Sequence, residues 1–367
     1  MFIAQLHSGY DYDLLGIDDR LRLPIIGAVI CDESELDKLM PHIISYEPDE
    51  EIELSYVKPS LIPVQIVPKS NGVQAFVKRV GADRSSQSLG KALSDRTDIN
   101  LFVVDSGISK RAEINLVGGY NSSGGDVNAY HDNNGHGTHV AGIAGATFGV
   151  APGVRLWAMK VTSDNGIGSL MTILKALDWI LKGKDKVWKG YGIVNVSMSG
   201  GLNKYVDQAV EKLCKAGVIV CVAAGNFGID ASFSSPARVS DAITVGATCD
   251  KNYSSFADYS NHGSSIDILA PGSNIYSLYR SGYAILSGTS MSCPVVSATV
   301  ALMLSSGRDI PKGEQLVKEV KASLIRFSSL SSSLNYDKTM TNNPRITLTE
   351  KAKRSGTTNV SVKAGCF

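Results

Sequence analysis

Three short segments of this chain carry, in order, a carboxylate, an imidazole and a hydroxyl in settings that could do nucleophilic chemistry. They are Val103-Val104-Asp105-Ser106-Gly107, Gly135-His136-Gly137-Thr138-His139-Val140 and Gly288-Thr289-Ser290-Met291-Ser292-Cys293-Pro294. A serine hydroxyl is a poor nucleophile at neutral pH and must lose its proton as it attacks. His136 can accept that proton and return it to a leaving amine. Asp105 can hold the imidazole in the right tautomer and offset its positive charge. Taken singly, each residue has a plainer reading: a strand-end cap, a loop histidine and a helix N-cap. The three in this order point to acyl transfer through Ser290.

The elements that must position these groups are legible around them. Asp105 ends the apolar run Leu101-Phe102-Val103-Val104, which reads as a buried strand turned away at Ser106-Gly107. His136 opens a run of small residues, 137 to 145, suited to a tightly packed helix; His139, three residues on, reads as a buried hydrogen-bonded side chain. Ser290 precedes Pro294 and the almost wholly apolar stretch 295–304, a helix that must be buried. Proline is tolerated in the first helical turn, so Ser290 is expected at that helix's start. Strands are expected at Asn100–Val104, Arg155–Val161, Gly192–Ser197, Val218–Ala223 and Ala242–Gly246, with amphipathic helices at Gly168–Lys182 and Tyr205–Ala216 between them. Alternating strands and helices predict a mostly parallel sheet covered on both faces.

The Asp, His, Ser order and the words around it resemble the subtilisin-like serine proteases, the subtilase family (peptidase family S8). Val222-Ala223-Ala224-Gly225-Asn226 is similar to the family's oxyanion-hole segment. Ile193 to Gly201 is similar to its substrate-binding strand, and Ser235-Pro236-Ala237-Arg238 with Ala242 to Ala247 to the far wall of its pocket. Asp267-Ile268-Leu269-Ala270-Pro271-Gly272 matches a further family word, and the likeness runs over about residues 62–347. The resemblance implies a serine endopeptidase with a three-layer α/β sandwich, catalytic Asp105, His136 and Ser290, and Asn226 in the oxyanion hole. It implies a specificity pocket flanked by Ser197, Met198 and Ser199 on one side and Ala223, Ala224 and Gly225 on the other, with Ser234 near its floor. Ser199 stands where the family usually has glycine. These walls carry no acid, so medium or large uncharged side chains are expected to fit. The stretch 141–152 lacks the insertion that makes a tight calcium loop, as in the proteinase K branch. Asp267 with carbonyls near Ser240 and Ala242 matches that branch's weaker calcium site. The resemblance therefore allows a structural Ca²⁺ there and requires no cofactor for catalysis.

Residues 26–56 read as strand, helix, strand, with Asp32 or Ser34 as helix cap. With the acidic stretch 46–52 they resemble the end of an inhibitor I9-like propeptide. The expected organisation is a small α+β inhibitory and folding-assisting domain at 1–60, the peptidase domain at 61–347 and a polar tail at 348–367. Self-cleavage is expected within Glu53-Leu54-Ser55-Tyr56-Val57-Lys58-Pro59-Ser60. Such a zymogen's partners are its own propeptide and peptide or protein substrates, and a monomer is expected. A catalytically silent peptide-binding relative and a hydrolase of small esters are the other readings of the same fold.

Composition bounds the rest. Of 367 residues 43% are hydrophobic and 19% charged, enough for one large core and an appendage. A formal net charge of +1 gives no reason to expect nucleic acid or an anionic membrane as partner. No apolar run is long enough to span a bilayer. The first residues lack a basic n-region and long apolar h-region, so an intracellular or non-classically delivered protein is expected, with secretion the alternative. The six cysteines are scattered with no C-x-x-C pair, which argues against zinc and for reduced, partly buried thiols.

Overall fold

The computed structural model describes residues 1–9, 11–54, 57–60, 74–80, 82, 93, 96–249, 255–306, 311–329 and 360–361. All but two residues of the expected tail 348–367, and Ser55 and Tyr56 of the expected cleavage segment, lie outside them.

The first fifty residues fold on their own sheet. Strands β1 (Phe2–Leu6), β2 (Arg22–Leu23), β3 (Ala28–Cys31) and β4 (Ile43–Pro48) form an antiparallel sheet in the order β2-β3-β1-β4, with helix α1 (Glu33–Leu39) packed on β1 and β3. Asp32 caps α1 through a capping box with Glu35, resolving the choice between Asp32 and Ser34. The chain then leaves this unit. Strands β5 (Glu51–Glu53) and β6 (Val57–Ser60) pair with strands of the large domain, so the expected 1–60 domain is compact only to Pro48.

After the short helix α2 (Ala75–Arg79), the large domain is built on β7 (Ile99–Asp105), β8 (Asn115–Asn121), β9 (Arg155–Lys160), β11 (Tyr191–Val196), β12 (Ile219–Ala223), β13 (Ile243–Cys249) and β15 (Ile268–Pro271). These run parallel, in the order β13-β12-β11-β7-β9-β8 with β15 beside β13, and the short β14 (Ser255–Phe256) adds an antiparallel edge. Every residue of β7, β12 and β13 is buried, as a sheet covered on both faces requires. Helices α3 (His136–Gly145) and α6 (Thr289–Ser305) pack together against the sheet. Helices α4 (Leu170–Gly183), α5 (Lys204–Lys215) and α7 (Glu314–Phe327) pack in sequence to form the other layer. Three layers result, as expected. Among the described residues no helix is long and apolar enough to cross a membrane.

Strand β8 and the hairpin β16 (Ile275–Tyr279)–β17 (Gly282–Ser287) were not expected. The hairpin is tied to α3 through His139, whose Nε2 lies 3.0 Å from the Ile275 carbonyl and 3.2 Å from that of Ala284. Both acceptors are carbonyls, so Nε2 carries the proton. The Ser277 hydroxyl answers by donating to the His139 carbonyl at 2.7 Å.

Four thiols, Cys31, Cys214, Cys221 and Cys293, are free and buried. Cys249 departs from the expectation of reduced thiols. It ends β13 at the margin of the sheet and is disulfide-bonded.

Complete burial, with His136 nearby, lowers the His139 pKa to about 3. The unfolded chain therefore binds a proton at this residue below about pH 6.5 that the fold refuses until about pH 3. Stability from His139 is full above pH 6.5 and falls as pH drops toward 3, at up to ~1.4 kcal/mol per pH unit. Urea unfolding between pH 6.5 and 4 should show a shallower slope in His139→Gln than in the parent; equal slopes would contradict it.

Candidate active site

The three middle strands of the sheet, β7, β11 and β12, are neighbours, and all end on the same side. Their carboxyl ends deliver Asp105, Ser197 and the segment 224–226, where open α/β sheets place their ligands. Helices α3 and α6 begin against these ends and bring His136 and Ser290.

Asp105 and His136 are both buried, with Oδ1 2.7 Å from Nδ1. The carboxylate also accepts from the Ser106 backbone N–H at 2.8 Å. A carboxylate facing Nδ1 fixes the proton there and leaves Nε2 as the basic nitrogen. Gly137 permits the approach: a Cβ there would lie 2.1 Å from the Gly107 carbonyl oxygen and 3.1 Å from the Asp105 side chain.

Asp132 joins the two elements and was not expected from sequence. Its buried carboxylate accepts from Gly135 N (2.8 Å), Thr138 N (2.8 Å), Thr138 Oγ1 (2.6 Å) and Ser106 Oγ (2.9 Å). Gly135 offers no side chain to cap α3, so Asp132 serves the unpaired amides of its first turn from outside. Burial still pushes the Asp132 pKa up, against those four donors.

Ser290 is buried at the second position of α6. Pro294 lies in the second helical turn, not the first as expected, and lacks the N–H that would reach the carbonyl four residues back. That carbonyl belongs to Ser290, and the Ser197 hydroxyl donates to it at 2.9 Å. In return the Ser290 hydroxyl donates to the Ser197 carbonyl at 2.8 Å. Ser197 is itself held by Asn195 Nδ2 (2.7 Å), and Asn195 by Ser297 (3.1 Å). The proline is thus matched by one strand-end serine.

Asn226 stands beside residue 289. Its Oδ1 accepts from Thr289 N at 2.8 Å and Thr289 Oγ1 at 2.9 Å. Two donors on the oxygen fix the amide's orientation and turn its NH₂ end to the other side, where it can donate.

Three of the expected pocket residues, Ala224, Gly225 and Ser234, are drawn together by Asn261, which sequence reasoning missed. Its Nδ2 donates to the Ala224 carbonyl (2.9 Å) and Ser234 Oγ (3.2 Å), its Oδ1 accepts from Phe227 N (3.0 Å) and Ile229 N (3.2 Å), and its own N–H reaches the Gly225 carbonyl (2.9 Å). Gly225 has φ +104°, and a Cβ there would sit 2.3 Å from Asn261 Nδ2 and 3.0 Å from Ser199 Oγ. Met198, Ser199, Ala223, Ala224 and Ser234 are all buried around this junction. A lone asparagine in a loop carries no sequence signal for such a role.

Asp267 does not fit the expected calcium site. Its Oδ2 lies 2.8 Å from the Lys321 ammonium, which also donates to the Ser240 and Ala242 carbonyls at 2.7 Å each. The oxygens named for a cation already hold a positive charge from the protein, and an ion could enter only by expelling it. Among the described residues no cluster of His, Cys, Asp or Glu is arranged to hold a metal.

Removing the Ser197 hydroxyl would take a hydrogen bond from the Ser290 carbonyl and one from Asn195 Nδ2. Ser197→Ala should cost about 1–3 kcal/mol by urea unfolding. Adding Pro294→Ala, which restores the missing N–H, should recover part of that loss; no recovery would refute the link.

Residues 96–348 match the Subtilase family. The chain is 44% identical over 215 residues to the "Extracellular serine proteinase" of Thermus sp. (strain Rt41A), covering 56% of this chain and 50% of that protein. It is 32% identical over 314 residues to the "M-protease" of Shouchella clausii, covering 82% and 77%. It is 44% identical over 183 residues to "Proteinase T" of Parengyodontium album, covering 49% and 61%. A solved "cold adapted subtilisin-like serine proteinase" superposes with a TM-score of 0.57 at 32% identity, over 64% of this chain and 91% of that one. The matches to the Thermus, Vibrio alginolyticus and Saccharomyces cerevisiae relatives span 40–50% of those proteins' length. With the matched region covering most of the chain and the same three-layer sheet beneath it, the protein belongs to the subtilase family.

Proposed function

We propose that the chain is a serine endopeptidase that cleaves peptide bonds through an acyl-enzyme, with Asp105, His136 and Ser290 as its triad. The observation that carries this is the buried 2.7 Å Asp105–His136 pair at the end of the strand next to the one whose end, Ser197, holds Ser290. In the reaction the Ser290 hydroxyl leaves the Ser197 carbonyl, its oxygen attacks the scissile carbonyl carbon, and its proton passes to His136 Nε2. Asp105 keeps the proton on Nδ1 and stabilises the imidazolium. The oxyanion is met by Asn226 Nδ2 and the Ser290 N–H in the first turn of α6. His136 then protonates the leaving amine, and water, deprotonated by the same histidine, releases the acyl group.

The N-terminal unit is proposed as an intramolecular inhibitor. Glu51–Glu53 lie antiparallel on the edge of β10 (Ile167–Ser169), pairing Ile167 with Glu53 and Ser169 with Glu51, and Leu54 N–H reaches the Gly166 carbonyl at 3.2 Å. This is the way an extended peptide adds to an open edge. Val57–Ser60 pair with β17, which leads through Gly288 into α6. The scissile bond is proposed in the stretch between these two pairings, from Leu54 to Val57. Behind them, Asp49 Oδ1 and the Glu50 carbonyl accept from Met171 N (2.9 Å) and Leu170 N (3.1 Å) at the start of α4. Glu47 reaches Asn203 Nδ2 and Lys204 Nζ, both at 3.1 Å, at the start of α5.

A fluorophosphonate probe should label the parent and leave Ser290→Ala unlabelled, and mass spectrometry should find the parent cut between Leu54 and Val57 and the variant intact. A parent both unlabelled and uncut would sink the enzyme reading, and a labelled but uncut one only the self-processing. A peptide library varied at P1 should favour medium or large uncharged residues, since the walls Ser197–Ser199 and Ala223–Gly225 carry no charge. Strong selection for Arg or Lys would overturn that pocket reading.

A further inference from the structure

The Lys321 ammonium has three N–H donors, and the structure gives each an oxygen: Ser240 O at 2.7 Å, Ala242 O at 2.7 Å and Asp267 Oδ2 at 2.8 Å. These are charge-assisted hydrogen-bond distances. Calcium would draw the same oxygens to about 2.3–2.6 Å and ask for six to eight of them.

The cradle is built independently of the lysine. Asp267 precedes β15, Ser240 and Ala242 precede β13, and the two strands are clasped at this end. Thr244 N donates to Asp267 Oδ2 at 2.9 Å and Asp267 N donates to Thr244 O at 3.0 Å. Lys321 arrives from α7, and both side chains are mostly covered, with 20% of Lys321 and 18% of Asp267 exposed. The other lysine nearby on α7, Lys318, is committed to Glu314 one turn away. Burial pushes the Asp267 pKa up while the ammonium pulls it down, the balance expected of a carboxylate that depends on its cation.

We propose that Lys321 is a tethered cation that stands where a divalent ion would otherwise bind. The chain gains from it the pinning of α7 to the β13 and β15 entrances without needing a free ion. Removing the ammonium while keeping Asp267 and the two carbonyls turns the cradle into a calcium site. The inference rests on these contacts alone and holds whether or not Ser290 is catalytic.

The test uses the full chain carrying Ser290→Ala, which removes any self-digestion, and reads the thermal midpoint in 10 mM CaCl₂ minus that in EDTA. The parent and Asp267→Asn should give the same difference, because no calcium enters this site. Lys321→Ala should have a lower midpoint in EDTA and regain on the order of 2–4 °C with calcium beyond the parent's difference. Calorimetric titration with CaCl₂ should show one site more than the parent has, and adding Asp267→Asn to Lys321→Ala should abolish it. Lys321→Met, which keeps the apolar stem, gives the same reading where Lys321→Ala does not fold. A parent calcium response that Asp267→Asn removes would overturn the proposal. So would lysine variants whose calcium response equals the parent's.

Discussion

A strand end and a helix start can hold a carboxylate against an imidazole only if something fixes the distance between the two elements. Here that is the buried carboxylate of Asp132. One of its oxygens takes the amide and the hydroxyl of Thr138 in the first turn of α3, and the other takes the amide of Gly135 just before the helix and the hydroxyl of Ser106, the residue after Asp105. A hydroxyl has one proton, and the 2.9 Å contact to Asp132 is shorter than the 3.3 Å contact to Asp105. The Ser106 hydroxyl therefore leans on Asp132, and the Asp105 oxygen is shared between His136 and the Ser106 backbone N–H. Misplacing these groups by an ångström is enough to cost orders of magnitude in rate, so the rigidity of this junction counts as much as the groups it carries.

The Ser290 side of the site is positioned by a defect rather than by a perfect element. An uninterrupted helix would bind the Ser290 carbonyl within itself. Pro294 forbids that, and the freed carbonyl ties α6 to Ser197 at the end of β11, the strand next to β7. Ser290 is held to the sheet by two reciprocal bonds, and the sheet already carries Asp105. Tertiary position is thereby encoded in a single missing N–H.

The sequence showed most clearly what depends on local pattern. The fully buried strands and the apolar α6 are long runs whose type alone dictates burial, and the words around Asp105, His136, Ser290 and Asn226 carried their chemistry with them. Asp132, Asn261 and Lys321 were silent because their roles are set by distant backbone atoms: Asn261 by the carbonyl of Ala224, Lys321 by those of Ser240 and Ala242. Strand β8, with two adjacent glycines and half-buried along most of its length, shows neither alternation nor a continuous apolar run. Asp267 was expected to serve calcium together with the Ser240 and Ala242 carbonyls, and the pattern could not say that Lys321, more than fifty residues further on, brings its ammonium to the same oxygens.

One consequence follows from how the first fifty residues sit on the rest. Their contacts with α4 and α5 combine a shared apolar core, which takes in Ile3, Leu23, Ile25 and Ile26, with carboxylate and carbonyl oxygens of Glu47, Asp49 and Glu50 set over helix starts, where the peptide dipoles leave partial positive charge. Contacts of this kind fade with dissolved salt over a Debye length of about 8 Å at physiological ionic strength, whereas apolar burial does not. If the proposed cut beyond Leu54 is made, the lifetime of the two pieces together becomes a property of the medium as well as of the protein. Following their separation against salt concentration would read the electrostatic share of that grip directly.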